Sequence, residues 1–127
     1  MRNRLLMFLI PVLAAATLMA QELPKLTVDI TFSFTAGDKE LPAGKYEFAP
    51  NDRGTAVTVR SLQSKAEVVV PVMTRLAPRP GSQASLLFDR VQAGSLLSEM
   101  YLQGMDGFMF KGAAGAHSHV TVSPKGK

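Results

Sequence analysis

The chain has no cysteine and no tryptophan. The first absence excludes a disulfide framework, a thiolate metal site, a thiol nucleophile and a lipid carried on cysteine. Histidine is almost as scarce: two in 127 residues, both within His117-Ser118-His119. Two tyrosines without any tryptophan are too few for the aromatic girdles of a transmembrane barrel. No phosphate-binding loop, dinucleotide fingerprint, zinc-ribbon spacing or G-x-S-x-G elbow occurs, so no cofactor is implied. No segment longer than a turn has helical periodicity, and no internal repeat is evident. The net charge of +4 falls to +2 without Arg2 and Arg4, and nothing in it calls for nucleic acid as a partner.

The N-terminus has the three parts of a secretory signal. Arg2 and Arg4 give a positive start, and Leu5 to Leu18 form an apolar run interrupted by Pro11 and Thr17. Leu18-Met19-Ala20 then ends on a small residue. The run is shorter than the ~20 residues a membrane span needs. Residues 1–20 are therefore expected to be removed, leaving 107 residues, the size of one domain. The expected organisation is a signal peptide over 1–20, one β-domain over 21–123 and a disordered tail over 124–127. The mature chain is expected to be periplasmic or secreted and not membrane-spanning; the sequence identifies no partner, and an envelope component or another protein is the candidate.

Beyond the signal the dominant period is two. Leu26, Val28, Ile30, Phe32 and Phe34 alternate with Thr27, Asp29, Thr31, Ser33 and Thr35, which predicts one long half-buried strand. Residues 36–44 read as a turn, with Leu41-Pro42-Ala43-Gly44 suited to a type I turn. Tyr46 and Phe48 resume the alternation. Val57 and Val59 open a third strand and residues 66–73 form a fourth. A four-residue loop over 62–65 would set Val59 opposite Val68, Val57 opposite Val70, and Arg60 opposite Glu67 on the other face. Pro71 lacks a backbone donor and marks an edge, a bulge or a strand end. Residues 75–82, rich in Pro and Gly, read as a crossing between parts of the sheet.

A second hairpin is expected from residues 84–91 and 96–103. A three-residue loop, Gln92-Ala93-Gly94, would pair Leu86 with Met100 and Phe88 with Ser98 facing inward. Leu87 with Glu99, and Asp89 with Leu97, would face outward. Residues 108–110 form a seventh strand and residues 116–123 a last one, with Val120 and Val122 inward. Gly112-Ala113-Ala114-Gly115 reads as a flexible joint. The expected core is Phe32, Phe34, Phe48, Val59, Val68, Leu86, Phe88 and Met100. Seven or eight short strands without helix fit an all-β fold, a small antiparallel barrel or sandwich.

Two stretches stand out beyond the expected signal, TFSFTAGDKELPAGKYEF at residues 31–48 and LLFDRV…SLLSEMYLQGMDGFMF at residues 86–110. They resemble the two halves of a group of short exported bacterial proteins with an F-x-F…G-x-x-x-L-P-A-G-x-Y opening. That group has no established activity. The resemblance implies export and an all-β fold, and it implies no ligand and no catalytic residue.

The strongest chemical signal is His117-Ser118-His119. On a strand both imidazoles point to one face, about 6.5–7 Å apart along the chain. His-x-His can offer two nitrogen ligands to zinc or copper. A third ligand would have to come from a neighbouring strand, with Met105, Met109 and Asp106 as candidates. The plainer reading is a pair of histidines on the solvent face of the last strand. Asp89 and Glu99 read as solvated outer-face carboxylates rather than an acid–base pair. The expected function is therefore a non-enzymatic exported β-domain with a binding or envelope-structural role. The alternative is a periplasmic metal-binding protein using His117 and His119.

Overall fold

The computed structural model describes residues 24–78 and 83–124. The expected signal segment and residues 125–127 lie outside the described residues. Among the described residues eleven strands form: β1 (Leu26–Ile30), β2 (Phe34–Ala36), β3 (Lys39–Leu41), β4 (Gly44–Pro50), β5 (Ala56–Ser61), β6 (Glu67–Pro71), β7 (Thr74–Leu76), β8 (Ser85–Val91), β9 (Gly94–Tyr101), β10 (Gly107–Met109) and β11 (Ser118–Val122). One antiparallel sheet runs β1-β4-β5-β6. The other runs β11-β8-β9-β10-β7; β2 joins β9 through one parallel pair, and β3 pairs with β2.

The inward residues of both sheets meet in one core. Val28, Ile30, Tyr46, Phe48, Val57 and Val59 come from the first sheet. Phe34, Leu86, Phe88, Leu97, Met100 and Phe108 come from the second. The rings of Phe34 and Tyr46 meet edge to face across the sheets at 5.2 Å. The all-β expectation holds, in the form of a small sandwich. Neither sheet closes on itself among the described residues, so the barrel alternative is not realised.

The strand count exceeds the expected seven or eight for local reasons. The long alternating segment breaks after Ile30, so that β1 lies in the first sheet and β2 in the second. Alternation fixes which side of the chain is buried, not which sheet it joins, and a strand can change sheets at a bend. Phe32 sits at that bend and is only partly buried, edge-on to Phe88 at 5.2 Å and beneath the Arg90 guanidinium at 5.1 Å. Residues 36–44 are not a simple turn, since β2 and β3 form a tight hairpin there. Gly37, at φ +66°, takes the first central position of its two-residue loop, where a side chain would be strained. The Tyr46 hydroxyl donates to the Pro42 carbonyl at 2.6 Å, and burial pushes its pKa above the usual value.

The β5–β6 hairpin has the expected register: Val59 opposite Val68, Val57 opposite Val70, Arg60 opposite Glu67. Val68 is only partly buried, because β6 is the sheet edge and ends at Pro71. The crossing between sheets comes earlier than expected. The Val72 N–H donates to Thr55 and the Met73 N–H to Met109, so adjacent donors serve different sheets. Arg75, expected in a loop, lies in β7 against Phe108 of β10.

Candidate metal centre

The site is built where the second hairpin departs from a regular ladder. Leu86 pairs with Met100 and Leu87 with Glu99, as expected. The register then shifts between Leu87 and Phe88. Beyond the shift Phe88 faces Leu97, Asp89 faces Leu96 and Val91 faces Gly94. The turn is thus two residues, Gln92-Ala93, and Ser98 is the extra residue of a bulge. This corrects both the three-residue loop and the pairings of Phe88 with Ser98 and Asp89 with Leu97. Leu97, expected outside, is buried against the core.

The last strand pairs with β8 and places Val120 opposite Phe88 and Val122 opposite Leu86, both turned toward the core. Period two then puts His119 opposite Asp89 on the outer face. β10 and β11 lie on opposite sides of the β8–β9 hairpin, so the connection between them must cross that face. It does so as a strap. The Phe110 N–H donates to the Ser98 carbonyl at 2.8 Å, and the Ala113 N–H donates to Asp89 Oδ2 at 2.9 Å. Gly112 lies so close that a Cβ there would stand 2.3 Å from Asp89 Oδ2 and 2.9 Å from Ser98 Oγ.

The strap buries Asp89, whose side chain is 4 % exposed. The expectation of a solvated outer-face carboxylate is overturned, although the outer face itself is right. Glu99 is partly buried and accepts a hydrogen bond from the Tyr101 hydroxyl at 2.6 Å.

Two imidazole nitrogens converge on this carboxylate. His119 Nδ1 lies 3.2 Å from Asp89 Oδ1, and His117 Nε2 lies 3.6 Å from the same atom. The three ligand atoms all fall within 4.8 Å of one another. His117 Nδ1 is 2.6 Å from the Gly115 carbonyl. A carbonyl only accepts, so Nδ1 carries a proton, which leaves Nε2 as the nitrogen that can offer a lone pair on the Asp89 side. A backbone partner on the far nitrogen is the usual arrangement behind a metal-bound imidazole.

Asp89 Oδ1 is buried, and no described group donates a hydrogen bond to it. His119 Nδ1 is near enough, but no N–H is aligned on the oxygen. A buried carboxylate oxygen left in that state is costly. Close approach without a hydrogen bond is what ligands around one ion adopt. Two ligands at 2.0–2.2 Å from a tetrahedral ion stand about 3.3–3.6 Å apart, close to the two separations from Oδ1. The residues fit a borderline divalent cation.

The sequence singled out His117 and His119, and the structure brings both beside Asp89. The third partner is none of the expected candidates. Met109 lies in β10, separated from β11 by β8 and β9. Asp106 faces Arg75 at 3.5 Å, and Met105 packs against the core. Asp89 was missed because its place depends on β11 pairing with β8, which no local pattern encodes. The Gly112–Gly115 joint was the available signal, since its glycine makes room for the carboxylate. No helix among the described residues is long and apolar enough to cross a membrane. No protein family, curated protein or solved structure matches the chain.

Proposed function

We propose that the mature chain is an exported β-domain that binds one divalent transition-metal ion, zinc or copper(II), through Asp89, His117 and His119. The observation that carries the reading is the buried, unbonded Asp89 Oδ1 facing two imidazole nitrogens. Nitrogen and oxygen donors without sulfur suit zinc and copper(II) better than copper(I). Export is supported by the pattern of residues 1–20, and a site free of cysteine suits an oxidising compartment. Binding is favoured over catalysis because the other partly buried carboxylates among the described residues are tied up one by one. Glu47 pairs with Arg60, Asp106 with Arg75 and Glu99 with Tyr101, at separate places in the fold.

Calorimetric titration of the tag-free mature protein with zinc and copper(II) tests the proposal. One ion per chain with a Kd below about 1 µM is expected, a binding free energy near 8 kcal/mol. The His117→Ala/His119→Ala double variant should lose it. Wild type that binds neither ion would leave a carboxylate–imidazole contact and remove the reading.

A further inference from the structure

The chain has only the two histidines already in the cluster and no cysteine. An imidazole or thiolate as fourth ligand is therefore not supplied by this sequence and would come from another molecule. The three donors are also unequally placed. Asp89 lies beneath the strap at 4 % side-chain exposure, His117 is 25 % exposed and His119 is 55 % exposed. The carboxylate forms the floor, and the imidazoles form a wall open to solvent along an edge strand. Closed sites with four protein ligands hold an ion for structure, whereas three-ligand sites keep a position for an exchanging ligand.

The donors are held by groups that need not move when that ligand changes. Asp89 Oδ2 is fixed by the Ala113 N–H, and His117 Nδ1 by the Gly115 carbonyl. His119 is held by its place in the β11–β8 ladder.

Resting on the metal-binding reading, we propose that this is an exchange site. Its ion accepts an imidazole or carboxylate donor from a second molecule on the His119 side. It then leaves to that molecule by ligand substitution. In the exchange a new donor–metal bond forms first. The bonds to His119, His117 and Asp89 then break in the order of their exposure. The ion keeps its charge of +2 throughout, the imidazoles recover their lone pairs, and the carboxylate recovers its full charge. No electron moves, so no oxidant or reductant is required.

Three measurements on the loaded mature protein test this. In the first, copper(II)-loaded protein is titrated with free imidazole and followed by electron paramagnetic resonance. The spectrum should shift to one with an added nitrogen while the copper stays on the protein. An unchanged spectrum at saturating imidazole, with copper retained, would overturn the proposal. In the second, zinc-loaded protein is mixed with the chromogenic chelator 4-(2-pyridylazo)resorcinol. The release rate should rise in proportion to chelator concentration. A rate independent of chelator would mean that the ion leaves unaided, and the proposal would fall. Sedimentation on the same samples should show a monomer with and without metal, whereas a metal-dependent dimer would mean that a second copy closes the site, again overturning it. Failure to load zinc or copper at all is a separate result, and it would strike the metal-binding reading itself.

Discussion

The β5–β6 and β8–β9 hairpins are built from similar alternating sequence and serve different ends. β5–β6 lies at the edge of its sheet, keeps one register throughout, and leaves its outer face to solvent, with Val69 59 % exposed. β8–β9 lies in the middle of its sheet, slips register at Ser98, and has its outer face crossed by the strap from β10 to β11. A regular ladder with a wet outer face can only be scaffold. A bulged ladder under a crossing segment can bury a polar group against other polar groups. In this chain it buries Asp89.

The largest expected effect tests whether the second hairpin is also the keystone of the core. Phe88 is fully buried, edge to face with Phe34 at 5.4 Å and with Phe32 at 5.2 Å. Phe88→Ala should cost about 3–5 kcal/mol, a large share of the stability of so small a domain. Val69→Thr, on the exposed face of β6, should stay within about ±0.5 kcal/mol. Chemical denaturation of both variants measures the difference, and comparable losses would mean that the two hairpins share the core equally.

The same contrast explains what was legible in the sequence. Leu26, Val28, Ile30, Phe34, Tyr46 and Phe48 could be placed inward because period two is a local property. The β5–β6 register followed from matching valines on one face and charges on the other. The β8–β9 register was right at Leu86 and Leu87 and wrong past Ser98. A bulge moves one residue out of the ladder without any change in composition. The break between β1 and β2 escaped for a related reason, since alternation does not say which sheet a strand joins. Two of the three side chains of the candidate site were visible, because His117 and His119 advertise themselves. Asp89 was not, because its burial comes from the path of residues 110–117 over the sheet.

That path gives the next test. A methyl group at Gly112 would collide with the Asp89 carboxylate and Ser98 Oγ, whereas one at Gly115 would meet nothing within 4 Å. Gly112→Ala should therefore cost about 1–3 kcal/mol by lifting the strap. Gly115→Ala should be neutral or gain up to about 1 kcal/mol by restricting the unfolded chain. Thermal unfolding of the pair distinguishes a fitted strap from a loose joint. Equal behaviour of the two variants would return the segment to the status of a linker.

Asp89→Asn separates the carboxylate's charge from its shape. The amide oxygen can still accept the Ala113 N–H, so the strap keeps its anchor. The change removes a buried charge that has no hydrogen bond to Oδ1. The metal-free variant should thus lie within about 1 kcal/mol of wild type or above it. Stabilisation by added zinc or copper should disappear. A loss of more than about 2 kcal/mol without metal would mean that the charge is already compensated by a protonated imidazole.

The smallest effect returns to the regular hairpin. Arg60 stands opposite Glu67 on one neighbouring strand and opposite Glu47 on the other. Its guanidinium bonds to Glu47 at 2.5 Å. Glu47 is the better-shielded partner, with 18 % side-chain exposure, and β4 is an inner strand while β6 is the edge. Arg60 is therefore drawn over the sheet toward the inner strand rather than toward the edge. Half of Arg60 remains in water, so the pair should contribute only about 0.2–1 kcal/mol, and that contribution should shrink in high salt. Glu47→Gln should lose this amount at low ionic strength, whereas Glu67→Gln should change stability by less than about 0.5 kcal/mol at any ionic strength. Urea titrations of the two variants at low and high salt decide it. A salt-dependent loss at Glu67 equal to that at Glu47 would show that Arg60 divides itself between the two strands.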